Sequence, residues 1–213
     1  LGIDAPKKLE IDAPVVEMRP LSDEYCEEVL RWYDHWLKGI DTGIMDEPPI
    51  RFFVNGAGEF RFEDEWPLAR TQWTKFFLRR WQVLSEEPED VAGKPDAFVQ
   101  QPTDETAGIA EIQYVSEVLK EDTEITGPAA IYLYGSIDQD DANWIVSLRD
   151  LHADGRQVEL SKGFLKASHR AVDAAKSKLY EPWHPHLEPE PVAPGEINEY
   201  AIALAPLSNV FKA

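Results

Sequence analysis

One convincing helical pattern, at residues 22–38, gives way after Pro48-Pro49 to short runs with a period of two. No other feature constrains the fold as much. Tyr25, Val29, Trp32 and Trp36 are spaced by four, three and four residues, which places them on one helix face. Leu30, Tyr33 and Leu37 make a second face beside it. An apolar arc this wide predicts a helix packed between two layers rather than one lying on a surface. Ser22 is the expected N-cap, and Glu24, Glu27 and Glu28 suit the positive end of the helix dipole. Lys38 and Gly39 supply a cationic last turn and a stop.

Residues 1–20 are broken by Pro6, Pro14 and Pro20 and read as a connector. Strands are expected at Ile50–Val54, Thr71–Leu78, Ile112–Leu119, Ala130–Ser136, Trp144–Leu151, Gln157–Leu160 and Glu196–Leu204. Asn55-Gly56 and the run from His152 to Gly155 are turn signals. Residues 56–64 read as irregular chain and 85–108 as a long loop carrying Pro88, Pro95 and Pro102. Periodicity leaves 162–178 open between helix and strand. Residues 180–195 hold five prolines and read as an extended arm. The fold class expected is mostly β: a sandwich over 46–213, preceded by a connector and helix over 1–45.

Composition narrows the function classes. Forty Asp and Glu against twenty-one Lys and Arg give a formal charge of −19. Such a chain repels phosphate backbones and anionic membrane surfaces, so neither nucleic acid nor membrane is an expected partner. No apolar run reaches the roughly 18–20 residues needed to span a bilayer. The chain starts at Leu1 without a basic segment leading into an apolar one. No signal peptide is therefore visible, and a cytoplasmic setting is expected. A single cysteine, Cys26, excludes an intrachain disulfide framework.

The sequence contains no complete reacting constellation. None of the nine serines lies in G-x-S-x-G; Gly135-Ser136 lacks the second glycine. Cys26 has acids at 24, 27 and 28 for neighbours, which disfavours a thiolate, so it reads as a structural residue. His184-Pro185-His186 places two imidazoles on one side of an extended segment, where they could share a metal. The plainer reading is a stiff arm packed with Trp183 and Tyr180. Asp138, Asp140, Asp141 and Asn143 resemble part of a calcium loop but lack its glycine and its distal glutamate, so a solvated loop is the simpler account. Pairs such as Glu63 and Glu65 carry little information in so acidic a chain. His35, beside Trp36, reads as a packing residue. No phosphate-binding glycine loop is present. No catalytic, cofactor-binding or metal residue is assigned, and no cofactor is expected.

Three blocks carry a family resemblance. The first, RWYDHWLKGIDTGIMDEPPIRFFVNGAGEFRFEDEWPLART, contains Asp34-His35-Trp36-Leu37-Lys38-Gly39, Pro48 to Val54, and Glu65-Trp66-Pro67. The second is WIVSLRDLHADGRQVELSKGFLKASHR, and the third APGEINEYAIALAPLSNVF. In this order they resemble the C-terminal region of the cocaine esterase and X-prolyl dipeptidyl aminopeptidase-like (CocE/NonD) serine hydrolases. The resemblance implies a jelly roll of galactose-binding type, entered from the last helix of an α/β-hydrolase domain. It implies truncation at both ends, with the catalytic Ser, His and Asp upstream of Leu1. The segment would then be a non-catalytic accessory domain that roofs the substrate pocket of an enzyme acting on esters, amides or X-Pro peptides. Its expected partners are that upstream domain and, through it, the small substrate. The chain alone is expected to be inactive, and the open helix arc predicts homo-oligomer contacts. The alternative is a free-standing β-sandwich binding module for carbohydrate or a protein, with Trp73, Trp81 and Trp183 as stacking candidates. Trp66 is expected to anchor the chain to the sandwich instead.

Overall fold

A computed structural model describes residues 5, 7–11, 23–89, 93–102 and 108–213. Ser22 and the prolines at 6, 14 and 20 lie outside them. Two compact units result. The first combines Leu1–Thr71 with Glu124–Phe211, and the second combines Gln72–Thr123 with Lys212–Ala213.

The first unit holds β1 (Leu9–Ile11), α1 (Asp23–Lys38), β2 (Ile50–Val54) and β3 (Glu59–Glu63), and further on the bulk of the sandwich. β2 alternates as expected: Ile50, Phe52 and Val54 are buried and the two residues between them half-buried. Two expectations fail around it. Residues 9–11 are not featureless connector but a strand parallel to β2, with Leu9 opposite Ile50 and Ile11 opposite Phe52. Residues 59–63 are not irregular but pair antiparallel with β2, Phe60 facing Phe53. Both stretches are too short to announce themselves; the neighbouring strand, not their own propensity, makes them extended. The Asn55-Gly56 turn is present, with Gly56 at φ 78°. A Cβ at Gly56 would lie 2.3 Å from the Val210 carbonyl oxygen, so only glycine fits this approach.

Four longer strands complete the unit: β7 (Thr123–Gly135), β8 (Asn143–Leu151), β9 (Gln157–Lys166) and β10 (Asn198–Phe211). β8 and β9 form the expected hairpin, with Gly155 at φ 84° in its turn. β7 pairs with β10. Gly163 of β9 would place a Cβ 2.4 Å from the Ala203 carbonyl oxygen of β10, so the two backbones meet closely there. β9 and β10 run well past their expected ends, and β7 starts seven residues early. The open stretch 162–178 proves to be the end of β9, a 3-10 turn at Ala167–His169, and irregular chain. Residues 182–186 make no strand pairing, and the arm is not extended throughout: His186 lies in the left-handed region at φ 52°.

β10 serves two cores. Its Tyr200 and Ile202 pack with Leu165, Ala167 and Val192, while Val210 covers Ile50, Phe52, Val54 and Leu68. Trp66 packs on the second core, its ring 5.7 Å from Phe52. The fold is a mostly-β sandwich domain, as expected.

The second unit has three short strands: β4 (Phe77–Arg79), β5 (Val83–Ser85) and β6 (Val115–Ser116). Here the two strands expected at Thr71–Leu78 and Ile112–Leu119 shrink to three and two residues. None of the unit's described residues is buried. With no core to pack against, apolar alternation does not enforce pairing.

Candidate functional site

The chemistry-bearing residues named from the sequence are dispersed into structural tasks. Cys26 is half-buried on α1. His35 sits edge-on to Trp36, ring centroids 5.0 Å apart, and among the described residues its Nδ1 has no hydrogen-bond partner to orient it as a base. Glu63 is engaged by both terminal nitrogens of Arg70, which hold its carboxyl below the ordinary range. Among the described residues no three His, Cys, Asp or Glu side chains gather in a way that could hold a metal ion.

The aspartate row does not converge on one point. Asp138 accepts from Gln139 at 3.3 Å. Asp141 turns inward, accepting from the Ser168 hydroxyl at 2.7 Å, the Ser168 amide at 3.0 Å and the Ala142 amide at 2.9 Å. Lys166 pairs with it at 3.1 Å. Burial opposes the charge, but these donors outweigh it and bring Asp141 down to about 2. Its oxygens are occupied in joining the end of β9 to the 3-10 turn that follows.

The two arm histidines are also separated in role. Both ring nitrogens of His184 face backbone oxygens, Nδ1 that of Ala171 at 2.9 Å and Nε2 that of Ala201 at 2.7 Å. A protein oxygen therefore occupies the place beside each nitrogen that a metal would need. His186 stacks between His184 and His169, each pair 5.5 Å apart. The proximity of His169 was invisible in sequence, since fifteen or more residues separate it from the other two.

The stacking candidates Trp73, Trp81 and Trp183 are all exposed. Lys176 lies 4.0 Å over the Trp183 ring. Trp81 is 89% exposed, and it and Gln82 lie in the left-handed region at φ 63° and 60°. The turn between β4 and β5 demands that geometry. Two open clefts, of about 270 and 220 Å³, carry no nucleophile paired with a base. Trp144, Phe164, Lys166 and His186 line the first; Asn55, Glu159 and Ser161 lie in the second.

What remains is an apolar surface. On α1, Leu30, Tyr33, Trp36 and Leu37 are exposed, and only Val29 and Trp32 of the predicted arc are half-buried. The helix is held from its other side. Arg31 bonds Glu28 at 2.7 Å, Glu47 at 2.5 Å and the Thr42 carbonyl at 3.4 Å. Lys8 completes the group by pairing with Glu47 at 2.9 Å. The i, i+3 pair of Glu28 and Arg31 could be read from sequence; Glu47 and Lys8 could not. In the second unit Trp73, Phe76, Phe77, Phe98 and Val99 are likewise exposed. Each unit thus exposes several large apolar side chains. Among the described residues no helix is long and apolar enough to cross a membrane.

Comparison with known proteins agrees with this picture. Residues 42–213 match the family described as the X-Pro dipeptidyl-peptidase C-terminal non-catalytic domain. A Mycobacterium bovis protein named as a serine esterase is 26% identical over 215 residues, covering 87% of this chain and 34% of that protein. Cocaine esterase of Rhodococcus is 24% identical over 211 residues, covering 84% and 34%. The structure of a CocE/NonD family hydrolase from Staphylococcus aureus superposes with a TM-score of 0.69 at 23% identity, covering 90% of this chain and 36% of that one. The chain therefore spans about a third of the length of the relatives it matches.

Proposed function

The chain belongs to the family of X-Pro dipeptidyl-peptidase C-terminal non-catalytic domains, and we propose that it is the accessory domain of a serine hydrolase of the CocE/NonD kind. In this reading residues 46–213 are the C-terminal domain. Residues 1–45 are the connector and last helix of the α/β-hydrolase part. The catalytic Ser, His and Asp belong to that part. This chain contributes the wall or roof of the substrate pocket, and the substrate is a small ester, amide or X-Pro peptide.

The observation that carries the reading is the exposed arc of α1. A helix anchored through Arg31, with Trp36, Tyr33 and Leu37 facing outward, is suited to being covered by a second apolar layer. The exposed aromatics of the second unit support a second area of coverage. Burying such side chains yields about 25 cal/mol per Å², which favours covering both.

The test is to produce the chain and the catalytic part separately. The chain alone is expected to show no turnover of a chromogenic ester or an X-Pro anilide, and to bind the catalytic part. Binding should weaken at least tenfold when Trp36 and Leu37 are replaced by glutamate. Saturable turnover by the chain alone, abolished by a serine substitution, would overturn the reading. Tight binding of a glycan by the chain, with none to the catalytic part, would replace it with a free-standing binding module.

A further inference from the structure

We propose that Asn55-Gly56 is a self-modification site gated by β10: the Asn55 amide becomes a carboxylate when the end of that strand lifts, and is protected while the strand is in place. Among the chain's four asparagines only Asn55 is followed by glycine, whose lack of a Cβ leaves its nitrogen the freest to attack. In the reaction the Gly56 nitrogen gives its proton to water or hydroxide and bonds to Cγ of Asn55. The bond from Cγ to Nδ2 breaks, and Nδ2 takes up a proton and leaves as ammonia. The product is a five-membered succinimide. Water opens that ring at one of its two carbonyls. Opening at Cγ leaves aspartate at position 55, and opening at the main-chain carbonyl leaves isoaspartate.

Three hydrogen bonds hold Asn55 to β10. Its backbone N–H donates to the Ser208 carbonyl at 3.0 Å, and its carbonyl accepts the Val210 N–H at 2.8 Å. Its Nδ2 donates to the same Ser208 oxygen, also at 3.0 Å. Ring closure brings the Gly56 nitrogen onto Cγ, which turns the Asn55 Cα–C and Cα–Cβ bonds. Those turns draw the carbonyl off Val210 and Nδ2 off Ser208. Gly56 is itself pressed against Val210, whose carbonyl oxygen would lie 2.3 Å from an added Cβ. Water has access to the pair, because Asn55 lines the open cleft with Glu159, Ser161 and Ser208. The held conformation, rather than exclusion of solvent, therefore withholds the reaction.

The product keeps β10 from closing as before. A carboxylate at position 55 has no N–H for the Ser208 oxygen and sets acceptor against acceptor. Ser208 and Asn209 are buried, so the loss falls where polar groups need partners. Isoaspartate also carries the main chain through Cβ, adding a backbone atom at the point where Gly56 already touches Val210. Val210 packs against the core of Ile50, Phe52, Val54 and Leu68. Lifting one strand end needs less free energy than global unfolding, and the reaction turns that brief exposure of the core into a lasting one.

The experiment is mass spectrometry of the tryptic peptide Phe52–Arg61 from the chain aged in mildly alkaline buffer. A gain of one mass unit, resolved by chromatography into two products of equal mass, reports the reaction. It is expected to run roughly tenfold faster in urea-unfolded chain than in folded chain, because folded chain reacts only while β10 is lifted. Val210→Ala, which thins the contact between β10 and its core, is expected to raise the folded rate several-fold. Asn55→Gln should gain no mass in either state. Equal rates in folded and unfolded chain would overturn the proposal, as would a folded rate that Val210→Ala leaves unchanged. If Val210→Ala fails to fold, urea below the unfolding transition supplies the graded opening, and a wild-type rate unmoved by it would be equally fatal. The modified chain, separated by its added negative charge, should exchange the Val210 amide faster than the unmodified chain. Equal exchange would show that β10 closes over the product and would remove the lasting exposure of the core.

Discussion

Arg31 reaches from α1 to Glu47, at 2.5 Å, across the segment that leads into β2. Hydrogen bonds from Arg31, and then from Lys8, hold the Glu47 carboxyl below its ordinary value. A carboxylate with a depressed folded value adds stability above its unfolded value, near 4.5, and loses it as pH falls through the folded one. Glu47→Gln is therefore expected to loosen α1 at neutral pH and to abolish its further loosening in acid. With the pair about a third exposed, screening limits the effect to about 1 kcal/mol at most. Amide exchange within α1 at pH 7 and pH 3.5 reads both halves of this expectation.

The open face of the same helix predicts self-association of the chain. Leu37 is 76% exposed and Trp36 46%. Sedimentation of the wild-type chain should show concentration-dependent dimers or larger species. Trp36→Glu combined with Leu37→Glu should shift the population to monomer, raising the apparent Kd at least tenfold. A wild-type chain that stays monomeric at high concentration would count against the apolar arc as an interface.

Trp66 should matter to folding rather than to any ligand. Its ring packs on Phe52, which is fully buried. Truncating a buried aromatic typically costs ~3–5 kcal/mol, and Trp66 is only half-buried, so about 2 kcal/mol is expected for Trp66→Ala. Thermal unfolding followed by circular dichroism should show Tm falling by several degrees. An unchanged Tm accompanied by lost binding of a peptide or sugar would show that the ring is a ligand contact.

The turn joining β4 and β5 is open to improvement. Left-handed backbone disfavours side chains such as those of Trp81 and Gln82, whereas Asn and Gly adopt it at lower cost. Trp81→Asn with Gln82→Gly is expected to stabilise the hairpin by about 1–2 kcal/mol. Amide exchange at Val83 and Ser85 would reveal it as slower opening. Faster exchange would mean that the Trp81 ring stabilises the turn through contacts of its own.

Asp141 predicts a separate acid transition. With a folded value of about 2 against an ordinary 3.8, its contribution is present above pH 3.8 and lost as pH falls toward 2. Asp141→Asn should cost about 1–2 kcal/mol at pH 7 and nearly nothing at pH 2. Urea melts at the two pH values give the comparison directly.

The sequence by itself determined the helix and the sandwich class. Tyr25, Val29, Trp32 and Trp36 encode one face through a strong local period, and Ile50, Phe52 and Val54 alternate across a strand that is buried on one side. Prolines likewise marked the arm, and Gly155 its hairpin, because these residues act on their own backbone. Tertiary structure decided the rest. β1 and β3 exist because β2 lies between them and pairs with both, and β10 neighbours β7 and is joined to Asn55 close to its end at Phe211. The candidate sites followed the same rule. Asp141 was legible as an acid in an acidic loop, but its inward turn depends on Ser168, twenty-seven residues away. His184 was legible as one of a histidine pair, yet the carbonyls of Ala171 and Ala201 that define it carry no side-chain signal at all. A backbone oxygen is present at every residue, and only the folded chain selects which two of them meet an imidazole.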